Sequence, residues 1–272
     1  MAMNKFLILG AFVLLAAAPA RAQEEVPFIT TPDHVTLAML QLAGVTASDH
    51  VIDLGSGDGR IVITAAKRFG ASGLGVEIVP DLVQKSRDNA RAAGVVARTE
   101  FLAQDLFNTD LRRATVVTMY LLPEVNLQLR PRLLALAPGT RVVSHDWDLG
   151  DWAPDRTLTV DVPGKVVGLD KRSRLHLWVV PAQVQGLWCA VSGSLQVTQR
   201  FQTFSATLTD MRSSTPVMVF DGRIEGRTLQ ALGDRVAVLK AQADALQLTR
   251  VDNVALAFAG QSFKRANDSS CP

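Results

Sequence analysis

The sequence predicts an α/β fold, a parallel sheet covered by helices on both faces, followed by a small antiparallel β domain, a barrel or a sandwich. Three observations predict it. Between about residues 26 and 182, helical patterns alternate with short continuous apolar segments, which is typical of buried parallel strands. A glycine-rich turn follows the first of these segments. After residue 182, period-two alternation replaces the helices, which indicates antiparallel strands.

The helices of the first domain have recognisable boundaries. Pro32 precedes the first helix, a favourable place for proline, and Gly94 follows the third, where a glycine commonly ends a helix. The predicted helices cover residues 33–44, 61–69, 80–93 and 125–135. The predicted strands cover residues 50–54, 73–78, 100–104, 115–121 and 140–145, with a final pair at 157–162 and 174–180.

The second domain is predicted to span residues 183–266 with six to eight strands, followed by a polar tail at 267–272. Its alternating apolar residues are Leu195 and Val197, then Phe204, Ala206 and Leu208, then Val254, Leu256 and Phe258. Turns are predicted at 221–222 and 232–234, since both places combine aspartate with glycine.

The first 22 residues have the layout of a secretory signal peptide. Lys5 precedes an apolar run from Phe6 to Ala18, and Ala20-Arg21-Ala22 is a small-x-small cleavage signature. The run of 13 residues is short for a helix that crosses about 30 Å of hydrocarbon. These features predict export to the periplasm. The alternative is an uncleaved anchor, which would associate the protein with a membrane.

Charge and cysteine content limit the partners. The chain has 28 basic and 26 acidic side chains, and Lys5 and Arg21 account for the difference, so the remainder is neutral. A neutral body gives no electrostatic reason to expect nucleic acid as a partner. The two cysteines, Cys189 and Cys271, form one disulfide in one interpretation and remain unpaired thiols in the other.

The turn after the first strand indicates a nucleoside ligand. Gly55, Gly57 and Gly59 follow Asp53 at two-residue spacing, with Ser56 between them. Glycines allow positive backbone angles and let a ligand lie against bare backbone at a helix start. The spacing differs from the G-x-G-x-x-G of dehydrogenases. Asp53 would repel a pyrophosphate but suits a ligand with an ammonium and a sulfonium, as in S-adenosylmethionine.

Acidic residues end the next two strands as well. Glu77, at the end of the second strand, is predicted to accept hydrogen bonds from two ribose hydroxyls. Asp105, at the end of the third strand, is placed to bind an adenine amino group, and Leu106 or Phe107 to pack on the ring. Any one acid alone could be an ordinary strand-end residue, but three at successive strand ends beside the glycines predict a cofactor site.

The fourth strand ends in the segment YLLPEVN, residues 120–126. Ligands of open parallel sheets bind at the carboxyl ends of strands, so this segment should face the methyl acceptor. We expect Tyr120 and Glu124 to position the acceptor and include Asn126 as a candidate; the alternative is that Pro123-Glu124 only begins the next helix. No metal is expected, because the four histidines (34, 50, 145 and 176) are scattered and no cysteine lies near them.

These motifs resemble the small class I lysine methyltransferases that act in mitochondria on the ATP synthase c subunit and the adenine nucleotide translocase. The matching pieces are PFITTP (27–32), DLGSGDGR (53–60), GVE (75–77), DLF (105–107), YLLPEVN (120–126) and VSHD (143–146). The resemblance covers about half the chain. It implies a seven-stranded Rossmann-like sheet, S-adenosylmethionine as cofactor and a protein lysine as a plausible acceptor.

Two features depart from that family. Its mitochondrial members lack a β-rich C-terminal extension like residues 183–272. The export signal is also unexpected, because the methyl donor is made in the cytoplasm. The alternatives are a small-molecule methyltransferase on the same fold, and a non-catalytic binding protein whose β domain is the functional part.

Overall fold

The computed structural model describes residues 29–166, 170–268 and 270–271, so the predicted export segment at 1–22 lies outside the described residues. The chain forms a seven-stranded sheet with helices and a separate closed antiparallel barrel of eight strands. The predicted fold class is therefore confirmed, and the second domain is a barrel. Among the described residues, no helix combines the length and the apolar character needed to cross a membrane.

The first domain alternates helices and strands along the chain. Its helices are α1 (Asp33–Leu42), α2 (Arg60–Phe69), α3 (Pro80–Ala93) and α4 (Pro123–Leu134). Its strands are β1 (His50–Leu54), β2 (Ser72–Glu77), β3 (Thr99–Ala103), β4 (Val116–Met119), β5 (Arg141–His145), β6 (Arg156–Asp161) and β7 (Arg172–Val179).

The strand order across the sheet is β3-β2-β1-β4-β5-β7-β6. Strands β1 to β5 are parallel, but β7 runs antiparallel to both β5 and β6, so the sheet is mixed rather than wholly parallel as predicted. The reason is local: β6 and β7 pair directly as antiparallel neighbours, and the described residues between them, 162–166 and 170–171, contain no helix. Strand β1 lies between β2 and β4, where the strand order reverses, and open α/β sheets bind ligands at the carboxyl side of that point.

Alternate residues of the central strands enter different cores. Val51 and Val116 pack with α1 and α2 on one face, while Ile52 and Val117 pack with α4 on the other. Successive side chains of a strand point to opposite faces, so both faces of this sheet require apolar residues. The helices thereby hold the carboxyl ends of β1, β2 and β4 in fixed relation.

The barrel consists of the remaining eight strands, which follow one another as an antiparallel series. They are β8 (Gly186–Cys189), β9 (Gly193–Arg200), β10 (Thr203–Asp210), β11 (Thr215–Glu225), β12 (Thr228–Ala231), β13 (Ala237–Ala241), β14 (Ala245–Val251) and β15 (Ser262–Arg265). The alternating residues predicted on β9 and β10 all enter the barrel core: Leu195, Val197, Phe204, Ala206 and Leu208.

Two predictions about the barrel were wrong. Residues 221–222 are not a turn, because Gly222 lies inside β11, where an added Cβ would be 2.3 Å from the ring of Phe204. Residues 253–258 form 3₁₀ turns with a kink at Ala255 rather than a strand. Ala255 and Phe258 are buried there, and Val254 and Leu256 are exposed.

Polar and aromatic contacts connect the two domains. Gln202, in the turn between β9 and β10, donates a hydrogen bond to the carbonyl of Ala153, and the ring of Phe201 stacks 6.3 Å from that of Trp152. Arg223 of β11 forms an ion pair with Asp155. Cys189 and Cys271 form a disulfide, which decides between the two interpretations of the cysteines.

Candidate cofactor and acceptor site

The turn between β1 and α2 has the backbone geometry that its glycines allow. Gly55, Gly57 and Gly59 have φ values of +75°, +53° and +80°, the left-handed region that residues with a Cβ rarely adopt. An added Cβ on Gly59 would also lie 2.7 Å from the ring of Phe101. Glycine is therefore required at residue 59 both by conformation and by packing, and the turn presents bare backbone.

Side chains from α3 and from the first residue of α2 hold this turn. Ser86 of α3 donates a hydrogen bond to the carbonyl of Gly57 at 2.8 Å, and Asn89 donates to the carbonyl of Asp58 at 2.9 Å. Arg60 forms an ion pair with Asp58 and donates to the carbonyl of Thr31 at 2.7 Å. The turn is thus held by α3 and, through Arg60, by the segment that precedes α1.

Asp53 lies beneath the turn and is almost fully buried. The hydroxyl of Thr118 on β4 donates a 2.7 Å hydrogen bond to Oδ1 of Asp53. Burial nevertheless raises the pKa of Asp53 to about 7, and the nearby carboxylates of Glu77 and Asp58 act in the same direction. A positively charged ligand near this carboxyl would favour its ionised form.

Glu77, at the end of β2, contacts the glycine turn directly. Its Oε2 accepts a hydrogen bond of 3.0 Å from the backbone N–H of Gly57. Its Oε1 accepts hydrogen bonds from the N–H groups of Ile78 and Val79. Three backbone donors therefore hold the carboxylate beside the turn, where the sequence predicted a ribose-binding group.

Asp105 follows β3, the next strand in the sheet. Its Oδ1 accepts a hydrogen bond from the N–H of Phe107 and caps the short 3₁₀ turn at 106–108. Leu106 packs partly buried against the core, and Phe107 is partly exposed. Asp53, Glu77 and Asp105 therefore stand at or directly after the carboxyl ends of three adjacent strands, as predicted.

Ser56 carries a further unusual group. Its side chain is buried, and its hydroxyl has no hydrogen-bond partner among the described residues. A buried hydroxyl without a partner costs free energy, on the order of 1–3 kcal/mol. A ligand against the turn is one way to supply the partner.

A cavity of about 270 Å³ is lined by residues at the ends of β4 and β5. It is lined by Ile29, Thr30, Pro32, Tyr120, His145, Val162, Gly164, Lys165, Val166 and Ser173. Tyr120 stacks on His145 with ring centroids 3.9 Å apart, and its hydroxyl donates a long hydrogen bond of 3.4 Å to Oδ2 of Asp146. Of the three residues predicted for the acceptor side, Tyr120 alone lines this cavity.

His145 and Tyr120 are held in their neutral forms. Burial lowers the pKa of His145 to about 4, and its two ring nitrogens lie within hydrogen-bond distance of the hydroxyls of Thr31 and Ser173. Burial raises the pKa of Tyr120 to about 12, and Asp146 contributes to the shift. Neither group is suited to removing a proton from a protonated amine at neutral pH.

The structure places Glu124 and Asn126 elsewhere. Glu124 is exposed in the first turn of α4, which begins at Pro123, so its contact with an acceptor stays a prediction. Asn126 is fully buried, and its amide donates to the hydroxyl of Ser144 and to the carbonyls of Trp147 and Asp148. Through these bonds Asn126 holds the segment after β5, while its Oδ1 is buried with no hydrogen-bond partner among the described residues, so its contact with an acceptor stays a prediction.

Three residues of the candidate site were not predicted from the sequence. Thr118 was treated as part of a wholly apolar strand, although a single polar residue between buried ones signals a specific hydrogen-bond partner, here Asp53. Phe101 fills the space beneath Gly59, which no local pattern indicates. Lys165 enters the cavity from the connection between β6 and β7, far from every motif.

The family model and the curated relatives that match this chain are all methyltransferases. A family model described as the ANTKMT methyltransferase domain matches residues 53–156. The chain is 44% identical over 138 residues to a protein-lysine N-methyltransferase of Saccharolobus islandicus (strain REY15A), covering 50% of this chain and 86% of that relative. It is 39% identical over 108 residues to the lysine N-methyltransferase of the ATP synthase c subunit from Mus musculus, covering 39% of this chain and 43% of that relative.

A solved structure gives a further match. The crystal structure of an RNA methyltransferase from Salinibacter ruber in complex with S-adenosyl-L-homocysteine is 52% identical to this chain, with a TM-score of 0.52. The match covers 57% of this chain and 96% of that one. The mouse relative and the Salinibacter protein are named for different acceptors, so the likeness supports a common cofactor more directly than a common substrate.

Proposed function

This chain belongs to the family of protein-lysine N-methyltransferases, and on that premise we propose that it methylates a lysine side chain of a protein. It is a class I methyltransferase, and its cofactor is S-adenosylmethionine. The observation that carries the proposal is the set of acids Asp53, Glu77 and Asp105 around the glycine turn, together with a cavity at the ends of β4 and β5 that Tyr120 lines.

The residues around the turn fit the cofactor. Those that would hold it are Asp53, Gly55, Ser56, Gly57, Gly59, Glu77, Asp105 and Leu106. Asp53 would face positive charge, which agrees with a buried carboxyl whose pKa stands near 7. Glu77 would accept from ribose hydroxyls and Asp105 from the adenine amino group. When bound, S-adenosylmethionine supplies a methyl group on a positively charged sulfur.

The protein's own contribution is to bind and orient the amine. Positioning of two reactants can contribute roughly 7–11 kcal/mol to a reaction. A lysine with a reference pKa of about 10.4 must lose its proton, which costs roughly 4–5 kcal/mol at pH 7. Since His145 and Tyr120 are poor bases here, the proton passes to water, and Tyr120 acts by positioning the acceptor.

Calorimetry with the purified protein tests the cofactor site. We expect S-adenosylmethionine to bind, and Glu77→Gln to weaken binding at least tenfold. Glu100→Gln is the matched control, because Glu100 is an exposed residue of β3 outside the turn. This variant should bind S-adenosylmethionine with the affinity of the unchanged protein. Absence of heat at millimolar donor would remove both enzymatic interpretations and leave the non-catalytic one.

Labelled donor added to cell extracts tests the acceptor. We expect the label in protein, released by proteinase and recovered as methylated lysine after acid hydrolysis. Label that ribonuclease releases would instead support an RNA acceptor, the kind named for the Salinibacter protein. Label in the low-molecular-weight fraction would support a small-molecule acceptor. The equal numbers of basic and acidic side chains after residue 22 favour protein over RNA.

We also propose that the protein is exported to the periplasm. The signal-like segment at 1–22 supports export, and so does the disulfide between Cys189 and Cys271, since disulfides persist in oxidising compartments. The alternative is a membrane anchor formed by the same segment. N-terminal sequencing of the native protein decides between them, because a chain that starts at Met1 would be uncleaved. Export requires that donor reach the enzyme outside the cytoplasm.

A further inference from the structure

We propose that Asp146 binds the ammonium group of the acceptor lysine and that Lys165 occupies this position in the free protein until the acceptor displaces it. The inference rests on the proposed lysine acceptor and adds to it a binding residue and an internal competitor. Three features support it: the backbone of Asp146, the neighbours of its free oxygen, and the place of Lys165 in the cavity.

Asp146 directly follows β5 and has a φ of +65°, in the left-handed region that few residues other than glycine adopt. Its N–H donates to the carbonyl of Arg174 at 2.6 Å, and its Oδ1 accepts from the N–H of Arg174 at 3.0 Å. An unusual backbone conformation that the surroundings hold in place is common at functional sites. Here it fixes one carboxylate oxygen against β7 and leaves Oδ2 for other contacts.

Oδ2 of Asp146 has three polar neighbours. The Nζ of Lys165 lies 2.8 Å away, the hydroxyl of Tyr120 3.4 Å away and Nε2 of His145 3.6 Å away. Because His145 is neutral, the Lys165 ammonium is the charged partner in this group. The site therefore already holds a primary ammonium against the same carboxylate oxygen that the Tyr120 hydroxyl contacts.

Lys165 reaches this position from outside the sheet. It lies four residues after the end of β6, lines the cavity, and its side chain is 13% exposed. Its Nζ also donates to the carbonyl of Arg172 at 2.7 Å. Because Lys165 belongs to neither strand, its side chain can withdraw without breaking strand pairing. Withdrawal would open Oδ2 of Asp146 to the cavity.

A substrate lysine has the same ammonium and the same alkyl stem as Lys165, so it fits the same partners. Once bound, the amine loses a proton to water, and its lone pair forms the new C–N bond as the C–S bond of the donor breaks. The sulfur becomes a neutral thioether and the nitrogen carries the charge. Asp146 stabilises the ammonium and therefore opposes loss of the proton, so we expect it to lower KM rather than raise kcat.

Binding of n-butylammonium, the end of a lysine side chain, tests the site without catalysis. In Lys165→Ala we expect this probe to bind at least tenfold more tightly than to the unchanged protein, measured by saturation-transfer NMR. The double variant Lys165→Ala/Asp146→Asn should lose that gain, and n-butanol, the uncharged match, should show none. Equal binding of n-butylammonium to the unchanged protein and to Lys165→Ala would overturn the proposal.

A second variant guards against misfolding. Lys165→Met keeps the length of the stem and removes the charge, and with poly-L-lysine as acceptor we expect its KM to fall about three- to tenfold at unchanged donor affinity. Lys264→Met, on β15 of the barrel, removes the same charge as a control and should leave KM unchanged. A KM for Lys165→Met equal to that of the control would contradict the proposal.

The two arms also separate this inference from the proposed function. If n-butylammonium binds as expected but labelled methyl groups appear in RNA, the ammonium site stands and the lysine acceptor fails. If labelled methyl-lysine forms while the Lys165 variants bind n-butylammonium no better than the unchanged protein, the acceptor stands and this site fails.

Discussion

The hydroxyl of Thr118 on β4 lies 2.7 Å from Oδ1 of Asp53 on β1 and donates a hydrogen bond to it. Both side chains are buried. A hydrogen bond from a hydroxyl favours the ionised carboxylate, but burial has the larger effect, and the pKa of Asp53 stands at about 7. Asp53 therefore changes its charge close to neutral pH, where both stability and binding can be measured.

The first prediction concerns stability. The folded pKa of Asp53 lies above its unfolded value of about 3.9, so the folded state holds the proton more tightly, and stability is lost as pH rises from about 4 to about 7. Asp53→Asn keeps an acceptor for Thr118 but cannot ionise. The unfolding free energy of Asp53→Asn minus that of the unchanged protein should grow by roughly 2–3 kcal/mol from pH 5 to pH 8, as measured by urea unfolding. If this difference in unfolding free energy were the same at both pH values, burial would not raise the pKa of Asp53.

The second prediction concerns the cofactor. The ionised form of Asp53 attracts the positive charges of S-adenosylmethionine, so affinity should rise as pH increases from 6 to 8. Calorimetry at the two pH values measures the change. In Asp53→Asn the affinity should be lower at pH 8, and the part of the pH dependence that Asp53 causes should disappear. If affinity changed equally with pH in both proteins, Asp53 would be excluded as the origin of the pH dependence.

The third prediction separates two reasons for glycine at residue 59. Gly59 and Gly94 both have positive φ, but an added Cβ meets Phe101 and Ser86 only at Gly59, and nothing within 4 Å at Gly94. Gly94→Ala should cost about 1–2 kcal/mol of unfolding free energy from backbone strain. Gly59→Ala should lose about 1–3 kcal/mol more unfolding free energy because of the clash with Phe101 and Ser86. It should also bind the donor more weakly. Equal losses in thermal unfolding would mean that Phe101 moves aside freely.

The fourth prediction concerns the contact between the two domains. Arg223 pairs with Asp155, whose side chain is 11% exposed, whereas Arg200 pairs with Asp151, which is 53% exposed. Partly buried ion pairs lose more when one partner is removed. Arg223→Ala should therefore accelerate proteolysis between the domains, and Arg200→Ala, the matched control, should change it little. Equal rates for the two variants would count against Asp155 as a domain contact.

Sequence patterns predicted the local parts of the fold well. Continuous apolar strands, helix boundaries at Pro32 and Gly94, and the spacing of Gly55, Gly57 and Gly59 are set by short-range chemistry, and the structure has the corresponding elements. The reversed strand β7 was not foreseen, because strand direction depends on pairing between distant segments. Likewise, Gly222 resembled a turn residue, although its neighbour Phe204 is what requires glycine there.

The candidate site divides in the same way. Asp53, Glu77 and Asp105 were found because each follows a strand whose end could be predicted, and parallel strands bring such ends together. Lys165 could not be found, because only the antiparallel pairing of β6 with β7, and of β7 with β5, brings it to Asp146. Asn126 was assigned to the correct region, but burial beneath Trp147 and Asp148 could not be seen without the tertiary structure.

The bond between Cys189 and Cys271 spans 82 positions of the sequence and closes them into a covalent ring. Seven of the eight barrel strands, β9 to β15, lie within that ring, and the whole first domain lies outside it. A protease that cut one peptide bond in the ring would therefore release no fragment. The nicked molecule would migrate as a single species on a non-reducing gel and separate into two pieces only after treatment with a thiol.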